Sequence, residues 1–357
     1  MSFKTFPIKV IKKEYLTNEA VAVYFDIPEN LKDVFKYKPG QFVTLKLYID
    51  GKEHRREYSL CSSPYTDKDF VIASKRVNNG TVSNYLYFNL YEGDVIDVSP
   101  PKGNFYSDLI SKNSKQYVLI GGGSGITPLF SILKSVLFIE PDSNVILYYG
   151  NQSEENIMFR KELEMFCHSH GSKLKILYTL IFPSKNWNYL TGNINKNDLI
   201  NILSDNQISD SIEREFYICG PEKMMNLVKE TLTDLKVRDE NIHIEYFNAP
   251  SKHHEFIPEA SISEELKERT VTVLLDGNEH EIKVPPDSSI LNSAINADLD
   301  PPFSCKSGIC TTCRAKLLSG KVKMDEREGL SDSEIEQGYI LTCQSHPLTD
   351  DVKIEYM

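Results

Sequence analysis

The sequence predicts a multidomain chain: an antiparallel β-barrel, an α/β domain built on a parallel sheet, and a small α+β module that holds four of the seven cysteines. Three observations predict it. Short apolar and β-branched runs separated by turn dipeptides fill residues 4–105; strands alternate with helical patterns from 116 to 249; and a hairpin near residue 269 precedes the crowded cysteines. A chain of 357 residues exceeds one ordinary core, at about 150 residues per domain. The expected divisions are 1–110, 111–249, a linker at 250–268, and 269–357.

In the first division, Val21-Ala22-Val23-Tyr24-Phe25, Gln41-Phe42-Val43-Thr44-Leu45 and Phe70-Val71-Ile72-Ala73 read as strands. Pro39-Gly40, Asp50-Gly51, Asn79-Gly80 and Gly93-Asp94 supply turns between them. Many short strands with such punctuation indicate a barrel. In the second, Tyr117-Val118-Leu119-Ile120 runs into Gly121-Gly122-Gly123-Ser124-Gly125-Ile126-Thr127-Pro128 and a helical pattern, and further strands follow at 145–149, 174–178 and 215–219. Glycines between a buried strand and a helix N-terminus let a pyrophosphate approach the backbone. Pro128 stands where the last glycine of the G-x-G-x-x-G fingerprint would fall, and a proline suits a first helical turn. Ala249-Pro250 opens a polar linker, and Val271-Thr272-Val273-Leu274-Leu275 with Asp276-Gly277 begins the last module.

In that module Cys305, Cys310, Cys313 and Cys343 show C-x4-C-x2-C followed by a distant fourth cysteine, the plant-type [2Fe–2S] spacing. A structural zinc site would instead show two short C-x2-C pairs. The stretches 303–313 and 341–347 resemble the ferredoxin family, which implies a β-grasp fold and these four cysteines as iron ligands. Residues 269–357 carry nine Lys/Arg against fifteen Asp/Glu, an acidic module within a chain of net charge −11.

Arg56-Glu57-Tyr58-Ser59 resembles the R-x-Y-S signature of the ferredoxin–NADP reductase superfamily, whose flavin domain is a Greek-key barrel. The resemblance implies that Arg56 pairs with flavin phosphate, Tyr58 stacks on the isoalloxazine, and the Ser59 hydroxyl bonds near the reactive flavin nitrogen. Gly80-Thr81-Val82-Ser83 resembles the family's G-x-x-S phosphate loop, with Gly80 and Ser83 at the pyrophosphate. Arg55 is expected to point to the opposite strand face into solvent, and Cys61 to be a small buried hydrophobe.

The G-x-G-x-x-P form resembles the superfamily's nicotinamide domain and implies Gly121, Gly123, Gly125, Thr127 and Pro128 as dinucleotide contacts. Cys219-Gly220-Pro221, followed by Met224, is the second match, with Cys219 facing the nicotinamide. Glu245-Tyr246-Phe247 resembles the family's terminal acidic and aromatic residues, implying Glu245 and Phe247 beside the flavin. Gln152 and Ser153 fall in the loop that meets the 2′ position of NAD(P)H. The resemblance favours NADPH, whereas Gln152 replaces an expected arginine and Glu154 and Glu155 would repel a phosphate they faced. Arg160 or Lys161 could compensate, the alternative being that both are exposed helix charges.

The order of modules resembles the reductase components of multicomponent oxygenases, most closely the phenylacetyl-CoA epoxidase reductase type. It implies NAD(P)H as donor, FAD and a [2Fe–2S] cluster as carriers, and a partner oxygenase or hydroxylase as acceptor. FMN in place of FAD, a fatty-acid desaturase or a steroid hydroxylase as acceptor, and a carrier with a degenerate reductase half are the alternatives. The acidic balance, without dense basic runs, argues against nucleic acid as a partner. Residues 1–7 lack an apolar signal region, the apolar stretch 117–139 is interrupted by glycines and Lys134, and crowded cysteines suit a reducing compartment. Cytoplasm, with no membrane span, is the expectation.

Overall fold

The computed structural model describes residues 3–106, 108–205, 212–247, 266–327, 329–330 and 332–356. Most of the expected linker, 250–265, therefore lies outside the described residues. Two compact units are present: one comprises 7–54 with 58–247, the other 248–357 with 1–6 and 55–57.

In the first unit, β1 (Phe6–Thr17), β2 (Ala20–Asp26), β3 (Phe42–Ile49), β4 (Lys52–Ser59), β5 (Phe70–Lys75) and β6 (Val95–Val98) form a sheet in the order β4-β3-β6-β1-β2-β5. An antiparallel bridge between Leu60 and Ile72 joins its two ends, so the sheet closes into a barrel. Ile8, Val23, Leu45, Leu60, Ile72 and Val98 are fully buried inside. Helix α1 (Thr81–Phe88) packs Val82 and Leu86 into the same interior. Asp50-Gly51 puts two successive residues at positive φ (51° and 73°), the type I′ geometry that matches strand twist between β3 and β4.

The parallel sheet follows. Its strands are β7 (Gln116–Gly122), β8 (Asn144–Asn151), β9 (Leu174–Leu180), β10 (Leu190–Thr191), β11 (Arg214–Cys219) and β12 (Ile242–Glu245), in the order β10-β9-β8-β7-β11-β12. Helices α2 (Ile126–Ile139), α3 (Arg160–His170), α4 (Lys196–Asp205) and α5 (Glu222–Asp234) alternate with them. Every residue of β7 is buried, as expected of a central strand covered on both faces. Chain direction reverses its march across the sheet between β7 and β11, and ligands of such sheets bind at the strand C-termini beside that switch point.

Barrel and parallel sheet share one unit through polar and aromatic contacts. Ser131 Oγ donates to the Ser62 carbonyl (2.6 Å), Ser63 and Ser135 share a hydrogen bond (2.8 Å), Lys134 pairs with Asp67, and the Phe105 ring meets Tyr217 edge-on. The three buried serine hydroxyls and the lysine all find acceptors or donors across this contact, so it costs little desolvation.

The second unit contains β13 (Arg269–Leu275), β14 (Asn278–Val284), α6 (Ile290–Asn296), β15 (Arg314–Ser319), β16 (Val322–Met324), α7 (Asp332–Glu336), β17 (Tyr339–Leu341), β18 (Ser345–Pro347) and β19 (Lys353–Tyr356). Its main sheet runs β14-β13-β19-β15-β17, with β13 and β19 parallel, over a core of Val271, Val273, Ile290, Ala315 and Ile354. Among the described residues no helix is long and apolar enough to cross a membrane.

One expectation is corrected. Arg55 is 6% exposed rather than solvated. Within the second unit its guanidinium pairs with Asp300 (2.9 Å) and lies 4.2 Å from the ring centres of Phe3 and Phe303. Two aromatic faces and one carboxylate replace the water that a lone buried charge would demand.

Candidate active site and cluster centre

Strand β4 carries the first candidate group. Ser59 is buried, Tyr58 half-buried and Arg56 exposed, with Arg56 Nη1 donating to the Arg55 carbonyl at 2.7 Å. Cys61 is buried as expected; its thiol donates to the Val71 carbonyl (3.4 Å), and burial pushes its pKa up to about 12. Gly80 caps the N-terminus of α1 without a side-chain bond. Ser83 Oγ accepts from Val77 N (3.1 Å), and Asn84 Nδ2 donates to the Gly80 carbonyl (2.7 Å), so side chains of the first turn clamp the loop leading into it. The first-turn N–H groups lie outside the helix ladder, the arrangement that receives phosphate.

At the switch point the structure brings two sequence motifs into contact. A Cβ added to Gly125 would lie 2.0 Å from the Cys219 carbonyl oxygen, and one added to Gly122 would lie 2.6 Å from Pro221 Cδ and 2.9 Å from Met224 Sδ. The glycine loop and the turn through Gly220 thus pack backbone to backbone. Gly123, at φ 54°, has nothing near the corresponding position and faces open space. Thr127 Oγ1 donates to the Ser124 carbonyl (3.1 Å), and Pro128 lies in the first turn of α2.

Register places Cys219 beside Gly121 on β7 and beside Glu245 on β12. Burial, then the nearby Glu245 charge, push the Cys219 thiol well above its ordinary pKa, so it remains a neutral S–H. Phe247, 39% exposed, follows two residues beyond Glu245. In the loop after β8, Gln152 is exposed and Ser153 Oγ donates to Asn156 Oδ1 (2.8 Å).

Sequence reasoning missed Tyr149. It is fully buried in β8, and its hydroxyl donates to the Gly123 carbonyl (2.9 Å), pinning the glycine loop from the neighbouring strand. The only sequence signal is an aromatic residue ending a buried strand, which pattern alone assigns to core.

The four module cysteines converge as two pairs. Cys305 and Cys310 lie within hydrogen-bond reach of one another, as do Cys313 and Cys343. The bond from Cys310 holds the Cys305 thiol down, helped by Ser307 N at 3.4 Å, while Cys310 and Cys313 are held up by their paired sulfurs and by burial. Among the described residues no three His, Cys, Asp or Glu side chains surround one ion position. Four thiolates in this spacing are the ligand set of a [2Fe–2S] cluster. Leu291, Leu330 and Leu341 pack around Cys313 and Cys343, Thr342 Oγ1 donates to the Cys313 carbonyl (3.0 Å), and Tyr356 donates to Thr342 (2.9 Å).

A closed barrel, a doubly wound sheet with a glycine loop at its switch point, and a paired-thiol centre define a flavoprotein iron–sulfur reductase. Residues 7–106 match the oxidoreductase FAD-binding domain, 119–230 the oxidoreductase NAD-binding domain, and 273–348 the 2Fe-2S iron-sulfur cluster binding domain. The chain is 34% identical over 350 residues to a subunit of the 1,2-phenylacetyl-CoA epoxidase of Escherichia coli K12, covering 98% of this chain and 97% of the relative. It is 33% identical to the ferredoxin reductase component of 3-ketosteroid-9-alpha-monooxygenase from Rhodococcus rhodochrous, covering 95% and 93%. The solved structure of phthalate dioxygenase reductase covers 98% of each chain at 25% identity, with a TM-score of 0.59. The chain belongs to the family of FAD- and [2Fe–2S]-containing reductase components of oxygenases, and NAD(P)H is its class of electron donor.

Proposed function

We propose that this reductase delivers electrons to an oxygenase of the phenylacetyl-CoA epoxidase type, and that its work is divided among residues 1–110, 111–249 and 269–357, with 250–268 as linker and the cytoplasm as its compartment. Similarity along 98% of the chain to an epoxidase component supports the acceptor, and the meeting of Gly125 with the Cys219 turn beside Glu245 supports the hydride site. When bound, the flavin supplies conversion of a two-electron hydride into single electrons that an iron–sulfur cluster can accept.

The chain's own residues hold and orient these partners. Arg56 neutralises flavin phosphate, Tyr58 and Phe247 cover the ring system, Ser59 offers a hydroxyl to it, and Gly80 with Ser83 presents the α1 N-terminus to the pyrophosphate. Gly121, Gly123, Gly125, Thr127 and Pro128 seat the dinucleotide phosphates, while Gln152 and Ser153 lie toward its ribose. Gly220, Pro221 and Met224 shape the nicotinamide seat. Cys219, kept as a neutral thiol, and Glu245 flank the transfer position without adding a nucleophile. Cys305, Cys310, Cys313 and Cys343 ligate the cluster. Purified chain, its reduced coenzyme and an epoxidase oxygenase component should together convert phenylacetyl-CoA with coenzyme consumption. Turnover with a ketosteroid oxygenase and none with the epoxidase would reassign the acceptor.

A further inference from the structure

In doubly wound dinucleotide sheets, the loop after the second strand meets the adenine ribose: a carboxylate there accepts from the 2′-hydroxyl, whereas an arginine accommodates a 2′-phosphate. In this chain that loop follows β8 and begins at Gln152. It is fixed on both sides: Phe182 N donates to the Gln152 carbonyl (2.7 Å), extending the β8–β9 pairing, and both carboxylate oxygens of Glu154 accept from Ser184 N (3.0 and 3.3 Å). Those bonds also hold the Glu154 carboxyl below its ordinary pKa, so the loop carries a positioned negative charge at neutral pH.

The groups able to grip a phosphate already have partners, which a phosphate would have to compete for. Ser153 donates to Asn156, whose Nδ2 donates to Glu19 (3.2 Å), and Arg160 Nε donates to Glu164 one helical turn along (2.9 Å). Lys161 on α3 and Lys185, which follows Ser184, are both exposed. A phosphate at this loop would meet the positioned Glu154 carboxylate, and drawing Arg160 to it would set the guanidinium between that phosphate and Glu164. A ribose hydroxyl would meet an acceptor, because carboxylate oxygens bonded to Ser184 retain further lone pairs.

We infer that the chain selects NADH over NADPH and that Glu154 sets the choice, an inference resting on the assignment of residues 121–128 as the dinucleotide loop. It runs against the NADPH expectation drawn from resemblance, and the binding ratio decides between them.

The test is equilibrium binding of NAD+ and NADP+ to the full flavin-loaded chain, by calorimetry, with coenzyme-driven flavin reduction followed in parallel. NAD+ should bind at least about tenfold more tightly, with the gap narrowing as salt screens the carboxylate. Glu154→Gln keeps an oxygen for Ser184 N but removes the charge, and should raise NADP+ affinity several-fold; Glu154→Asp should retain the discrimination. Gln152→Arg should favour NADP+ further. Equal or tighter NADP+ binding by the wild-type chain, or an unchanged ratio in Glu154→Gln, would overturn the role of Glu154. Failure of both dinucleotides to bind or to reduce the flavin would instead overturn the hydride-site assignment on which this inference stands.

Discussion

The nucleotide loop and the cluster loop both depend on glycine, but their supports differ. Gly125 sits where two parallel strands deliver their backbones to one point, with 2.0 Å between its missing Cβ and the Cys219 oxygen. That loop is held by sheet register and by the Tyr149 hydroxyl. Gly308 lies in the 303–313 stretch, which contains no strand or helix, at φ 79° with Glu326 Cβ 2.6 Å from its missing Cβ. There single bonds support the chain, among them Gly329 N to the Gly308 carbonyl (2.8 Å) and Ser307 N to Cys305 Sγ (3.4 Å), and the four cysteines would hold the cluster. Preorganised backbone suits a dinucleotide that enters and leaves; a thiol-held loop suits a permanently bound cluster.

The harshest way to break this comparison is Gly125→Val. The new side chain must displace the Cys219 turn, and we expect a loss above about 3 kcal/mol in stability of the first unit, measured by denaturant unfolding, with dinucleotide binding abolished. Cluster absorbance should persist in whatever protein stays folded. Cys310→Ser attacks the other loop: the reduced-cluster electron paramagnetic resonance signal should vanish while coenzyme still reduces the flavin. Loss of flavin reduction from a folded Cys310→Ser protein would show that the loops are not independent.

Arg56→Ala should weaken flavin retention by about 1.5–3 kcal/mol, the range of a hydrogen bond to a charged group, seen as flavin released on dilution. Stoichiometric flavin in that variant would move the phosphate contact elsewhere. The smallest effect is expected at Glu215, at the far end of the parallel sheet from the glycine loop. Burial would raise its carboxyl, but bonds from His243 (2.9 Å) and Lys115 (2.8 Å) outweigh it and hold the pKa below its ordinary value. Because the native value is depressed, this stabilisation is complete above the ordinary carboxylate range and fades as pH falls through the native value. Glu215→Gln should cost about 1 kcal/mol at neutral pH and less in acid, by thermal unfolding across pH.

Much of this was legible in the chain. The β-branched runs and Asp50-Gly51 foretell the barrel, the alternation from Gln116 foretells the parallel sheet, and cysteine spacing foretells the cluster, because each signal is local. What escaped was long-range. Strand alternation put Arg55 in solvent because it cannot see Asp300, Phe3 and Phe303, which come from distant parts of the chain. The Tyr149 hydroxyl reaches Gly123 only through the register of β7 against β8, and the Glu154 anchor depends on Ser184, 30 residues further on.

The central claim is a single electron path from coenzyme through flavin to cluster, and an anaerobic titration of the purified chain with NADH tests it most directly. Flavin bleaching followed by growth of the reduced-cluster paramagnetic signal is the predicted result. Bleached flavin with a cluster that remains oxidised, although dithionite reduces it, would contradict the path.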